Sequence, residues 1–479
     1  MSGIIGYGAY LPYYRLDRTA IAAALGTPAA KGTRAVAAYD EDSTTMAVAA
    51  GRRVTALAGA QALYLASTTP PYLDKTNASA VHAALGLDPG VAAFDAMGSV
   101  RSALGVIRAG LTGSGPTLVI CADIRTGLPG SEDEREGGDA AAALLLGPGS
   151  AETPLLAEYL GGAAATGEFL ERWRVPGEAF SRQWEERFGV HAFLPLAGSA
   201  VARALGATGI APAAIDRVIV TGTHTRAART LVRMGGLDPN KVADDLTRTV
   251  GNTGAAHPAL LLSAALDAAG PGEVIALIVL ADGADVLLFR TTDALPAHRA
   301  APSVAEQVAA GRADLAYPLF LTWRGMLARQ GPRRPDPQQP AAPPSLRSEA
   351  WKFAFTGGRC TACSTMHLPP QRVCGTCGAV DKMRPERLAD VPGTIATFTV
   401  DRLAFSLSPP VVGAVVDFDG GGRNRCELTD VDPAAVAIGC RVEMTFRRLY
   451  EADGVQNYFW KAKPLAGGAA APAAAGRGE

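Results

Sequence analysis

The sequence has almost no excess charge: 45 Lys and Arg stand against 46 Asp and Glu, a formal net charge of −1 over 479 residues. That balance removes the overall pull that draws a chain to nucleic acid or an anionic membrane, and no long basic run supplies one locally. The opening MSGIIGYGAYLP lacks the basic start and apolar run of a secretory leader, and no apolar stretch reads as long enough to span a bilayer. The expectation is a cytoplasmic protein with no membrane or nucleic-acid partner. A disulfide framework is lacking as well. Four of the seven cysteines cluster as Cys360, Cys363, Cys374 and Cys377, while Cys121, Cys426 and Cys440 are scattered in apolar or strand-like settings, which favours a metal over disulfides.

What is present is material for a core. Hydrophobic residues make up 48% of the chain, and the length suggests two or three domains. GPRRPDPQQPAAPPS, residues 331 to 345, reads as an extended linker, because proline removes backbone donors and fixes φ. The end, LAGGAAAPAAAGRGE, reads as a disordered tail.

Ahead of the linker, strand-like and helical runs alternate, the pattern of an α/β layer structure. ALYLAST, TLVICAD and AAAALLLG flank the helix RSALGVIRAGL; RVIVTGT, VIALIVLAD and ADVLLFR flank the helix HPALLLSAALDAAG. Sliding the chain on itself by 155 residues places Leu63 on Val218, Leu111 on Leu266 and Pro116 on Pro271 without a gap. An internal duplication of an α/β unit is the simplest reading.

Several strings together resemble the thiolase superfamily, and within it the hydroxymethylglutaryl-CoA synthase-like branch: GIIGYGAYLP, TTPPYLDKTNAS, GGDAAAALLLG, WEERFG, THTR and VGNTGAAHPALLLSAALDAAGPG. The resemblance covers about residues 1 to 295. It implies a duplicated, five-layered αβαβα fold, a homodimer, and action on acyl groups carried by coenzyme A or an acyl carrier protein. It also implies a nucleophilic cysteine at a helix N-terminus, a His and an Asn that polarise a thioester carbonyl, and a Glu that moves protons. His224 falls at the His position and Asn252 at the Asn position. The other two are missing: Pro70 stands at the Glu position, and Met97 or Gly98 at that of the cysteine. Ser99 lies one or two residues away and would be a nucleophile if His224 were within hydrogen-bond reach. The competing reading makes Ser99 a helix cap. His257 reads as structural or as a partner of the site, and Cys121, inside an apolar strand, as core.

GRCTACSTMHLPPQRVCGTCG carries two Cys-x-x-Cys knuckles, a spacing that brings four thiolates around one tetrahedral zinc and leaves no open coordination position. One structural zinc per chain is expected, with His367 between the knuckles not needed as a ligand. Short strand-like runs follow (GTIATFTVDRL, PVVGAVVDFD, CELTD, CRVEMTFRRL and YFWKAKP) and suit a small all-β OB barrel. Ribbon and barrel together resemble the acyl-CoA-associated zinc-ribbon/OB domain that accompanies thiolase-like proteins. Arg447, Arg448, Tyr458, Phe459, Trp460 and Lys461 would serve either single-stranded bases or the adenine and phosphates of coenzyme A.

The domain reading is a thiolase-like domain over residues 1–324, a proline-rich linker over 325–349, a zinc ribbon over 350–385, an OB fold over 386–465 and a tail over 466–479. The functional expectation is an enzyme that forms or cleaves a C–C bond, or transfers an acyl group, on acyl thioesters without the usual cysteine. Retro-aldol cleavage of a β-hydroxyacyl-CoA and a non-catalytic scaffold that completes a thiolase-like partner are the alternatives.

Overall fold

The computed structural model describes residues 1–28, 30–234 and 237–465, so the expected tail over 466–479 lies outside the described residues. Two units are distinguished. One comprises Met1–Ala38, Asp42–His82 and Leu87–Phe320; the other comprises Tyr39–Glu41, Ala83–Gly86 and the chain from Leu321 onward.

The first unit is built on nine strands: β1 Ser2–Tyr10, β2 Ala62–Ser67, β3 Ala92–Met97, β4 Thr117–Asp123, β5 Ala140–Pro148, β6 Ala157–Thr166, β7 Arg217–Gly222, β8 Val274–Leu280 and β9 Gly283–Thr291. Their order is β7-β8-β9-β6-β1-β5-β4-β2-β3. The β1–β6 pairing is confined to Gly3 with Glu158 and Ile4 with Ala157, so the sheet is two half-sheets joined by a short seam. Each half repeats one pattern. A parallel pair (β2 with β4, β7 with β8) is followed by an antiparallel neighbour (β5, β9) and an antiparallel return (β1, β6). The 155-residue offset carries Ala62, which opens β2, onto Arg217, which opens β7. β3 alone has no counterpart. β4 and β8 are buried along their whole length, which is why they read as continuous apolar runs rather than alternating ones.

Five helices cover these strands: α1 Ser43–Gly51, α2 Arg101–Thr112, α3 Glu186–Thr208, α4 Thr225–Met234 and α5 His257–Ala268. α5 packs on β5 and β1 of the first half and on β7 and β8 of the second, so it lies between the half-sheets. α2 shares that layer: it packs on β5, and Arg101 and Arg108 reach across to Asp285 of β9 at 3.1 and 2.9 Å. α1 covers the outer face of the first half, and α3 with α4 that of the second. The layers are therefore α-β-α-β-α. One core surrounds the central helices, and a second, containing Phe193, Ala197 and Ala200 of α3, fills the outer face of the second half.

α3 corrects one expectation from the sequence. By length and by a mean hydropathy of 1.3 it is long and apolar enough to cross a membrane, although no such stretch was expected. Its apolarity is spread among Ala, Gly and Leu rather than concentrated in a run. The stripe Gly189, Phe193, Ala197, Ala200 and Ala204 is buried against the sheet, as in a helix that covers strands.

The second unit holds a three-stranded sheet of Thr356–Cys360, Met366–His367 and Met383–Arg387, and a closed five-stranded barrel of Gly393–Asp401, Val411–Phe418, Arg423–Leu428, Arg441–Ala452 and Val455–Pro464. The linker is not wholly extended: APPSLR forms a helical turn, Ala342–Arg347. Proline fits there because its missing N–H falls where a helix has no internal acceptor for it, and its fixed φ is already helical.

The barrel also corrects the ligand-binding reading of its basic and aromatic residues. Arg447, Tyr458, Trp460 and Lys461 are each at most 3% exposed. Arg447 pairs with Glu41 at 2.8 Å and with Asp430; Lys461 pairs with Asp40 and Glu427, both at 2.9 Å. Burial pushes the Asp40 carboxyl up, and Lys461 and Arg447 more than offset it, holding it below the usual carboxylate range. Phe459 packs at a tilt against Trp351 and edge-on to Phe355. These cations are spent on an internal ion network and the rings on packing, so neither bases nor a nucleotide can use them without dismantling the barrel.

Candidate functional site

Loops at the strand ends of the second half build one cavity. β7 ends at Gly222 and α4 begins at Thr225, which leaves His224 in the turn between them. The segment Gly251–Ala256 precedes α5 and presents Asn252. Asn252 Nδ2 donates to the Gly222 carbonyl at 2.7 Å, while its Oδ1 accepts from Gly254 N at 3.0 Å. The amide carries a second N–H beyond the one given to Gly222. The cavity holds about 600 Å³ and is lined by Asn252, His257, Thr221, Glu132, Glu136 and Glu186, with Arg226, Arg229 and Arg233 along α4.

The loop bearing Asn252 is pinned by the first half. Asn252 N donates to the Glu136 carbonyl at 2.7 Å, and Gly138 N to the Asn252 carbonyl at 3.0 Å, so the glycines of GGDAAAALLLG are its docking edge. Asp123, fully buried at the end of β4, accepts from Ala255 N at 2.7 Å and also from Ser67, Thr68 and Thr69. A Cβ at Gly254 would stand 2.3 Å from Asp123 Oδ2, and φ there is +59°, so only glycine fits. Asp123 is a positioning residue that sequence reasoning missed. Its one signal was a carboxylate closing the apolar strand TLVICAD.

Neither His224 nor His257 is an open base. His224 Nδ1 accepts from Ala227 N at 3.1 Å, so its proton is on Nε2, which donates to the Glu186 carbonyl at 2.9 Å. His257 is 1% exposed, and its Nδ1 faces Thr253 N and Oγ1 at 3.3 and 3.2 Å. Its Nε2 is buried at the cavity wall without a well-formed hydrogen bond. Burial lowers this imidazole to about 4, against the Asp245 charge and carbonyl, which push the other way. At neutral pH His257 is an uncharged ring.

The first half offers less. Ser99 Oγ donates to Asp282 Oδ2 at 2.7 Å and accepts from Arg101 N at 3.1 Å; Val100, not Ser99, is the capping position of α2. The hydroxyl is thus tied to the β8–β9 turn and to the first turn of α2, and the structure does not bring it into hydrogen bonding with His224. It lies on a shallower cavity of about 530 Å³ with Arg101, Arg108, Asp282 and Asp285. Met97 ends β3, and Gly98 follows at φ +104° with open space where a side chain would begin. Pro70 is half-buried in the loop after β2. Cys121 is fully buried, and burial pushes its thiol up to about 12, so it is no displaced nucleophile.

In the second unit, one sulfur each from Cys360, Cys363, Cys374 and Cys377 all lie within 4.8 Å of one another. The Cys360–Cys377 and Cys363–Cys374 separations are 3.8 and 3.5 Å. A tetrahedron with metal–sulfur bonds of ~2.3 Å has edges of about 3.8 Å, so the four fit one ion. His367 Nε2 sits 3.3 Å from Cys374 Sγ, as a neighbour of a ligand rather than a fifth one.

Known proteins match both units. A hydroxymethylglutaryl-CoA synthase of Methanopyrus kandleri is 29% identical over 335 residues, 66% of this chain and 95% of that protein. The protein of the same name from Aeropyrum pernix is 29% identical over 351 residues, covering 68% and 95%. Among solved structures, an HMG-CoA synthase complexed with CoA superposes with a TM-score of 0.57 at 16% identity, over 67% of this chain and 89% of that one. The 3-oxoacyl-[acyl-carrier-protein] synthase III of Aquifex aeolicus gives 0.53 at 21% identity, over 60% and 100%. The family model for the ChsH2 C-terminal OB-fold domain matches residues 386–447. With its repeated half-sheets and closed barrel, this chain has a thiolase-like fold whose sequence is similar to hydroxymethylglutaryl-CoA synthases, followed by an OB-fold domain.

Proposed function

We propose that the first unit binds an acyl thioester, carried by coenzyme A or an acyl carrier protein, and makes or breaks a C–C bond next to the thioester carbonyl. The observation that carries this reading is the cavity of about 600 Å³ that presents the Asn252 amide beside three arginines of one helix. The spare Asn252 N–H polarises the carbonyl, with His224 Nε2–H contributing once the Glu186 carbonyl is exchanged for substrate. The arginines match the phosphates of the carrier. The relatives' names and the neighbour solved with CoA point to the same chemistry.

Retro-aldol cleavage of a β-hydroxyacyl thioester is the form best suited to these residues. Met97, Gly98 and Pro70 supply neither an acyl-accepting nucleophile nor a proton carrier, and this reaction needs no acyl-enzyme. The scaffold reading rests on the same absences. Purified chain incubated with a panel of acyl-CoA and β-hydroxyacyl-CoA thioesters tests these readings. Turnover without a covalent adduct in the intact mass supports the carbonyl-polarising reading, an adduct lost in Ser99→Ala supports acyl transfer through Ser99, and turnover only after a thiolase-like partner is added supports the scaffold.

The four thiolates of the second unit hold one structural zinc, which when bound supplies cross-linking of the ribbon and no open position for substrate. Cys374→Ser should abolish stoichiometric zinc and loosen the ribbon. Elemental analysis of freshly purified protein showing no zinc overturns this assignment.

A further inference from the structure

Glu171 is a buried carboxyl that none of the preceding roles uses. It is 6% exposed, and no hydrogen bond from another described residue reaches its carboxyl oxygens, which keep part of that small exposed area. It is held against the site by Gly189 in the first turns of α3. A methyl at Gly189 would come within 2.3 Å of His224 Cδ2, 2.5 Å of His224 Nε2 and 3.2 Å of Glu171 Cγ, so imidazole and carboxyl stem share one glycine-sized gap. Its backbone is fixed by Trp184 N, which donates to its carbonyl at 2.8 Å.

The titratable groups that face Glu171 are His224, Arg172, Asp282 and Glu132. They belong to different parts of the site. Asp282 holds the Ser99 hydroxyl, Glu132 lines the Asn252 cavity, and the Arg172 guanidinium is taken by Asp133 at 2.9 and 2.6 Å. Glu171 therefore packs beside His224 within electrostatic reach of loop residues from both halves, and the neighbouring Arg172 is already paired with Asp133. Burial foremost, with Asp282 and Glu132 adding to it, raises its carboxyl above the usual range against the pull of His224 and Arg172. A carboxyl so shifted exchanges protons nearer neutral pH. His224 cannot do this as it stands, because taking a proton on Nδ1 would cost the Ala227 N–H bond that caps α4.

The geometry points to Glu171 as the proton-transfer residue of the thioester site, an inference that rests on the reading of the first unit as a thioester-binding domain. As carboxylate it takes a proton from the carbon next to the thioester carbonyl. The C–H electron pair becomes the C=C bond of an enolate, whose oxygen carries the charge against the Asn252 N–H. Return of the proton from Glu171 to carbon restores the thioester.

The probe is acetyl-CoA with the full chain in D2O, with deuterium in the acetyl methyl group followed by mass spectrometry across pH and binding followed by calorimetry. Wild type should exchange, with a rate that rises through an ionisation above the usual Glu value of about 4.3. Glu171→Gln should bind acetyl-CoA but lose exchange by about 10²-fold or more, and lose that pH limb. Glu171→Asp, which keeps a carboxyl should Gln disturb packing, should retain slower exchange with the limb present. Exchange and limb unchanged in Glu171→Gln would overturn the assignment, as would wild type that binds acetyl-CoA and never exchanges; both leave thioester binding standing. Absence of acetyl-CoA binding by wild type overturns the thioester reading itself, and the assignment with it.

Discussion

The two halves of the first unit share a four-strand sheet pattern, to which the first adds β3, but differ in what their loops carry. In the first, the turn after β3 offers Met97, Gly98 and a Ser99 already bonded to Asp282 and Arg101 N, and the loop after β2 offers Pro70. In the second, the turns after β7 and before α5 hold an Asn252 amide with a spare N–H and a cavity large enough for a substrate. Duplication of buried strands therefore did not duplicate chemistry. The strands are constrained by packing on both faces, whereas the loops are constrained only where they touch a neighbour, and Asp123 shows that one such neighbour comes from the other half.

The sharpest way to break this comparison is to remove the amide that distinguishes the second half. Asn252→Ala should lower turnover of the thioester substrate by roughly 10²- to 10³-fold, the scale of one oxyanion donor, in steady-state kinetics. Met97→Cys is the converse change, restoring a thiol to the first half at a position that ends a strand; position 98 is unsuitable, since its φ of +104° strains any side chain. The Met97→Cys protein should gain an acyl adduct in the intact mass that wild type lacks.

A pH series sharpens the comparison next. His257 titrates at about 4 when folded, well below its unfolded value, because burial disfavours the charged ring. The unfolded chain binds this proton first, so the stability the neutral ring contributes is complete above the unfolded value of about 6.5 and is lost as pH falls towards 4. The loss should approach about 3 kcal/mol in urea midpoints taken between pH 7 and 4. His257→Asn should flatten that part of the profile. The smallest effect belongs to the first half: Ser99→Ala should cost about 1 kcal/mol of stability through the lost Asp282 and Arg101 hydrogen bonds, with little change in turnover. A large kinetic defect in Ser99→Ala would reverse the ranking of the halves.

Much of the framework was legible in residue order. β4, β5 and β8 could be read from TLVICAD, AAAALLLG and VIALIVLAD because strands buried on both faces must be continuously apolar. The cysteine cluster was legible because two knuckles brought close along the chain leave little freedom in where four sulfurs go. Residues acting across the chain were not. Glu171 lies in FLERWRV, where no spacing marks it out, and only the approach of Gly189 of α3 and His224 of the turn after β7 sets it apart. Arg447 and Lys461 read as ligand-binding cations because a sequence does not show that Asp40 and Glu41 meet them from some 400 positions away.

The sequence by itself determined the duplicated α/β pattern, the four-cysteine cluster, the barrel strands and the absence of cysteine from positions 97 to 99, since each depends on local apolar periodicity, short spacing or the identity of single residues. Tertiary structure alone decided that Ser99 turns to Asp282, that both ring nitrogens of His224 are engaged, that a buried Asp123 holds the Asn252 loop and that Glu171 lies against the His224 ring. Those outcomes depend on which loops the packed half-sheets bring together, and the hydrogen bonds and charge shifts that follow exist only once that approach has excluded water.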